Sequence, residues 1–195
     1  MKSFVLTLVA LASLSTVALA QAKSTAPLPD TPQVQLGVTY NATRLGSGAD
    51  LWMPTGGGVD LSFGGYRSTW LNGVVNFSDS IKSVSGGGAS ANLSYLTVTF
   101  GPRFIYRQKK YDAFGEALFG LGRVSMSANI PGYVNGSEGV NGFAWKVGGG
   151  MDFNISRRVA IRAPLVHWQQ FKTQYFGGDA ANFLSVGGGV VFRLK

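Results

Sequence analysis

The chain has 195 residues, no cysteine, a formal net charge of +8 and only 13% charged side chains. The length suits one domain, and the missing thiols exclude a disulfide framework, a lipoprotein anchor and thiolate metal sites. Abundant glycine and 12% aromatics favour many short strands over helices.

Residues 1–20 read as a secretory signal peptide. Lys2 is the charged head, an apolar run extends from Phe4 to about Leu19, and the small residues Ala18, Ala20 and Ala22 offer cleavage after Ala20 or Ala22. The run is short for a membrane helix, and no later segment approaches the roughly 20 apolar residues that a spanning helix needs. Residues 21–32, with Pro27, Pro29 and Pro32, read as a stiff periplasmic leader. Residues 33–195 are expected to form the folded domain.

From there alternating runs recur at about Gln33–Arg44, Gly57–Tyr66, Thr69–Phe77, Asn92–Tyr106, Tyr111–Ser125, Gly142–Asn154, Val159–Phe171 and Asn182–Leu194. Their connections alternate in length. Arg67–Ser68, Arg107–Lys110 and Ile155–Arg158 are short, whereas Leu45–Gly56, Ser78–Ala91, Met126–Asn141 and Lys172–Ala181 are long and rich in Gly, Ser and Asn. An even strand count with short turns at one end and long loops at the other is the pattern of an outer-membrane barrel. Both termini would then be periplasmic.

The two faces of each run decide whether apolar means inside. Phe143, Trp145, Val147, Met151 and Phe153 oppose Ala144, Lys146, Gly148, Gly150 and Asp152; Leu96, Val98, Phe100 and Phe104 oppose Thr97, Thr99, Gly101 and Arg103. A small soluble barrel would place the large residues inside and cover its outer face with Lys and Glu, which are too few here. The apolar face is therefore expected to meet lipid and the polar face to line the interior. Tyr66 and Trp70, and Tyr106 and Tyr111, beside short turns, fit interfacial girdles.

The stretches GPRF (Gly101–Phe104), FGEALFGLGR (Phe114–Arg123), GGGMDFNISRRVAIR (Gly148–Arg162) and the closing VGGGVVFRL resemble the OmpA-like outer-membrane barrel family, of the small eight-stranded type, over about Gln33 to Lys195. The resemblance implies an all-β, eight-stranded antiparallel up-and-down transmembrane β-barrel in the outer membrane of a Gram-negative-type bacterium. Its partners would be outer-membrane lipids and the barrel-assembly machinery, and it would be a monomer. Gly189, Phe192 and Leu194 are similar to the assembly signal of the family, with Leu194–Lys195 standing where a terminal aromatic is usual. The peptidoglycan-binding domain of larger members is not expected.

Interior charges are the candidate functional residues. A hairpin centred on Lys109–Lys110 puts Arg103 opposite Glu116, and a turn near Arg157 puts Asp152 opposite Arg162, with Lys146, Arg193 and Asp60 able to extend the network. Such pairs would plug a narrow interior; alternatively, exchange of Glu116 from Arg103 to Lys146 would open a thin water path. A soluble lipocalin-like periplasmic carrier is a third reading, one that needs the apolar face inside.

No reaction, cofactor or metal is expected. Gly86–Ala91 satisfies G-x-G-x-x-A without a strand-to-helix context. His167 is followed by Gln169 where membrane deacylases carry Ser, so triad chemistry lacks its nucleophile. The triple glycines 56–58, 148–150 and 187–189 read as relief of crowding in a narrow barrel. Basic residues gather at the short turns (Arg67, Arg107, Lys109, Lys110, Arg157, Arg158) without an aromatic platform, which favours phospholipid headgroups over nucleic acid. Pro102 and Pro164 are expected to mark bulges, and beyond Pro164 the facing of His167 and Trp168 is open.

Overall fold

The computed structural model describes residues 34–46, 51–64, 70–86, 89–129, 136–172 and 180–194. The signal peptide, the leader, Tyr66, the Arg67–Ser68 turn and Lys195 lie outside the described residues. Nine strands follow in order: β1 (Val34–Leu45), β2 (Leu51–Met53), β3 (Thr55–Gly64), β4 (Leu71–Gly86), β5 (Ala89–Arg107), β6 (Tyr111–Asn129), β7 (Gly136–Asn154), β8 (Val159–Lys172) and β9 (Ala180–Leu194).

From β3 onward each strand pairs antiparallel with the next. β1 pairs with β3 on one side and with β9 on the other, from Val34↔Leu194 to Leu45↔Phe183, and so closes the barrel. The short β2 lies within what the sequence suggests is a long loop. It continues β3 along β1: Thr43 pairs with Met53 and Tyr40 with Gly57, a step of three residues against four. The extra residue falls around Pro54, which has no N–H for the ladder. β2 and β3 are thus one interrupted wall strand, and the barrel is eight-stranded.

The apolar face is outside. Phe100 and Leu121 are 64% and 70% exposed, while Arg103 and Arg162 are 1% and 0% exposed. On β9 the outward positions Leu184, Val186, Gly188, Val190, Phe192 and Leu194 form an unbroken apolar stretch, matching the roughly 9–11 residues a tilted strand needs to cross a bilayer. At the turn end Trp70 stacks on Phe104 with centroids 5.8 Å apart, and Tyr106 and Tyr111 are exposed beside it. A soluble carrier would need the opposite arrangement.

Two of the expected loops are largely strand. β4 and β5 pair as far as Gly86↔Ala89, and β6 and β7 as far as Ala128↔Gly136. Their Ser-, Asn- and Gly-rich sequence has low strand propensity, but hairpin pairing carries the ladder on. Meanwhile β3 begins at Thr55 opposite Ile81, and β8 ends at Lys172 opposite Phe143. The β4–β5 and β6–β7 ladders therefore run on past the last ladder partners from β3 and β8, and among the described residues Lys82–Gly86 and Gly136–Gly142 have a ladder partner on one side only, with β2 lying alongside β4.

Of the two prolines, only one carries a bulge. The β5 register is unbroken across Pro102, which faces outward and pairs with Gly73. At Pro164 it slips against both neighbours, between Arg162 and Leu165. Arg162 and Leu165 are both inward, three residues apart, so His167, Gln169 and Phe171 follow inward and Trp168 faces lipid.

Candidate functional site in the barrel interior

Strand alternation delivers one charged group from each of several walls to the same level of the interior. Asp60 comes from β3, Arg103 from β5, Glu116 from β6, Asp152 from β7, and Arg162 and His167 from β8. Arg103 and Glu116 are cross-strand partners, as are Asp152 and Arg162.

The chain of contacts runs continuously across the lumen. His167 Nε2 lies 2.6 Å from Glu116 Oε1, and the other Glu116 oxygen accepts from Arg103 Nε at 2.6 Å. Arg103 Nη1 donates to Asp60 Oδ2 at 3.0 Å. Asp60 Oδ1 accepts from Arg162 Nη1 at 2.7 Å, and Arg162 grips Asp152 with Nε and Nη2 at 2.7 and 2.9 Å. Asp60, a possible extension in the sequence, is the central bridge: one carboxylate joins the two arginines.

Space for these groups comes from glycine. A Cβ on Gly37 would land on the Asp60 carboxylate, and one on Gly148 on the His167 ring. Phe114, in step with Glu116 on β6, lies between the two guanidiniums, whose Cζ atoms are 4.5 Å (Arg103) and 4.6 Å (Arg162) from its centroid. Both cations therefore face carboxylates on their edges and an aromatic ring on a face, compensating the loss of water.

Lys146 does not join this chain. It is buried and donates to Asn76 Oδ1 and, at 3.3 Å, to Ser78 Oγ. Arg193 is likewise separate. Near the turn end it donates to Asp112 Oδ2 at 2.9 Å and Asn154 Oδ1 at 2.6 Å, and Arg107 donates to the same Asp112 oxygen at 3.1 Å. Arg107 thus points inward rather than joining the exposed Lys109, Lys110, Arg157 and Arg158.

At the loop end lies a feature absent from the sequence reading. Met53, Tyr95, Ala144, Phe171 and Phe183 form a buried apolar cluster inside the barrel, backed by Leu45, Leu93, Val124 and Ala181. Tyr95 stacks on Phe183 at 4.3 Å and meets Phe171 edge-on at 5.8 Å. The signal was present: Phe171 is in step with His167 and Gln169, Phe183 with Ser185, and Tyr95 with Thr97. These are large aromatics on the face otherwise given to small and polar residues. Buried side chains thus meet inside the barrel at two levels, in apolar packing near the loop end and in ion pairs nearer the turns.

Gly189, Phe192 and Leu194 lie on the closing strand. Gly189 pairs with Thr39 and Arg162, while outward Phe192 and Leu194 pair with Leu36 and Val34 of β1. The Gly86–Ala91 stretch belongs to the β4–β5 hairpin, with no helix after it.

Neither a family model nor a curated protein sequence matches the chain. Solved structures do. Ail, the attachment invasion locus protein of Yersinia pestis, superposes with a TM-score of 0.60 at 14% identity, covering 84% of this chain and 99% of Ail. Neisserial surface protein A gives 0.60 at 9% identity, covering 83% and 97%. A major outer membrane protein from Thermus thermophilus gives 0.52 at 8% identity, covering 82% and 99%. A further Ail structure is a complex with the heparin analogue sucrose octasulfate, with a TM-score of 0.59 at 15% identity, covering 83% and 96%. At these identities the likeness is one of architecture, and it agrees with the outward apolar belt: the chain has the fold of the small eight-stranded outer-membrane β-barrels.

Proposed function

We propose that this protein is an integral outer-membrane barrel that acts from its outer surface, with a closed interior serving as structural core and the raised β4–β7 sheet serving as the contact element. The observation that carries the reading is the pairing of a filled lumen with a sheet standing above its rim. Side chains filling the interior at two levels favour a plug over a conduit. Among the described residues Gly136–Gly142 has a ladder partner on one side only, and its other edge would offer donors and acceptors to an extended segment that approaches. The word attachment in the name of Ail, and its complex with a heparin analogue, support contact at the cell surface by analogy of fold.

The test replaces residues 84–91 with Asn-Gly, closing a two-residue hairpin between the cross-strand partners Ser83 and Asn92. The shortened barrel is expected to keep its heat-dependent gel shift. Cells displaying it should lose most of their adhesion to cultured cell layers relative to wild type. Equal adhesion by both would overturn the contact role of the sheet.

The gated-pore reading places its gate at Glu116. Planar-bilayer recordings of inserted wild-type barrel are expected to be silent, and Glu116→Ala alone should stay silent because the Tyr95–Phe171–Phe183 packing is untouched. Discrete openings in either would favour the pore.

A further inference from the structure

The turn-end layer of the interior has more buried donors than acceptors to receive them. Gln35 on β1 and Arg193 on β9 are cross-strand partners that face inward, the first 2% exposed and the side chain of the second 8%. Partners in such a register hold their Cβ atoms about 5 Å apart. Arg193 Nη2 donates to Asp112 Oδ2 and Asn154 Oδ1, and Arg107 donates to the same Asp112 oxygen, so Arg193 has only a share of one carboxylate. Two further donors of this pair of residues, Arg193 Nε and Gln35 Nε2, are buried and meet no acceptor among the described residues. On the other side of Gln35, Ser62 of β3 accepts from Asn72 Nδ2 at 2.8 Å and keeps its own hydroxyl proton to give.

A buried N–H without an acceptor has lost its water and gained nothing, and the loss is larger on a cation. Because the charge of Arg193 is only partly met, the acceptor that suits it is an anion. A guanidinium N–H and a primary amide one strand spacing apart match two oxygens of one small oxyanion, which a halide with a single centre does not offer. The way in is basic. Lys109 and Lys110 on the β5–β6 turn and Arg157 and Arg158 on the β7–β8 turn are exposed at this mouth, and among the described residues there no carboxylate is exposed. Asn154 ties the β5–β6 turn to β7, its backbone N–H donating to Lys110 O and its side chain to Gln108 O and Lys109 O. Cations around a mouth with low-dielectric walls concentrate anions.

We propose that the turn-end mouth of the barrel interior binds a small oxyanion of the phosphate class, held by Arg193 Nε, Gln35 Nε2 and the Ser62 hydroxyl and drawn in by the four turn cations. A phospholipid headgroup carries the same phosphate chemistry, but these donors face the lumen, on the far side of the wall from the acyl chains. The inference needs only the closed barrel. It is independent of the surface-contact reading, whose test alters the other end of the molecule.

The probe is inorganic phosphate replacing chloride at constant pH and ionic strength, added to the refolded full barrel in nonionic micelles and read as the midpoint of heat-induced unfolding by circular dichroism. Phosphate is expected to raise the wild-type midpoint by several degrees. Gln35→Glu sets a carboxylate beside Arg193, so it should raise the midpoint in chloride and remove the response to phosphate. If that variant does not fold, Gln35→Leu should weaken the response. Neutralising the mouth with Lys109→Gln, Lys110→Gln, Arg157→Gln and Arg158→Gln together should move the response to higher phosphate without abolishing it. Four results would each overturn the proposal: a wild-type midpoint that phosphate leaves unchanged, a full response in both Gln35 variants, a response that vanishes with the turn cations alone, or one that requires phosphatidylglycerol in the micelle instead of free phosphate.

Discussion

Asp60 is the residue on which the interior network depends. Its two oxygens are divided between Arg103 and Arg162, so Asp60→Asn removes charge from both contacts while leaving both cations buried. Breaking a buried pair of this kind costs about 3–5 kcal/mol, and urea unfolding of the bilayer-inserted barrel, followed by gel mobility, should show a loss of that order. Lys146→Met should cost less than Asp60→Asn in the same assay. Lys146 contacts the neutral Asn76 and Ser78, and the substitution removes a buried charge rather than stranding one. Phe114→Leu takes the ring from between two guanidiniums and should destabilise by about 1–3 kcal/mol. The Arg103/Glu116 and Asp152/Arg162 pairs were legible because each sits symmetrically about a short turn. The bridging role of Asp60 was not, because contact across a lumen leaves no trace in local spacing.

At the scale of the element, β8 shows how one residue sets the facing of everything after it. The slip between Arg162 and Leu165 keeps both inward. Without it, strict alternation would turn Trp168 into the lumen and His167 to lipid. Deleting Val166, which leaves the bulge in place but turns His167 outward and Trp168 inward, should therefore abolish the closed barrel, read as loss of the heat-dependent gel shift after refolding. Deleting Ala163 instead removes only the extra residue, keeps Arg162, Leu165 and His167 on one face and should preserve the shift. Proline alone did not announce this bulge: Pro102 passes through β5 with register intact, while Pro164 does not. A sequence marks where a ladder bond is missing, but the neighbouring strands decide whether the register yields. The same dependence extended β4 to β7 beyond the alternating runs, since pairing with a partner held Ser- and Gly-rich segments in strand form.

For the whole molecule, barrel closure converts eight alternating strands into an inside and an outside with opposite tolerance for charge. On the proposed plugged reading, opening the lumen to ions requires both the ion-pair chain and the apolar cluster to be disturbed. A barrel carrying Glu116→Ala together with Phe171→Ser and Phe183→Ser should conduct in planar bilayers where each change alone does not. Silence in a demonstrably inserted combined variant would show that further side chains fill the lumen.

The sequence by itself determined the strand count to within the short β2, the outward facing of the large apolar residues and the pairing of charges across short turns. All of these follow from period-two alternation and symmetry about a turn, which are local. Only the tertiary structure decided that Asp60 joins two arginines, that His167 meets Glu116, and that aromatics from β5, β8 and β9 meet Met53 in a buried apolar cluster. Each of these depends on which residues closure of the barrel brings together from strands far apart in the chain.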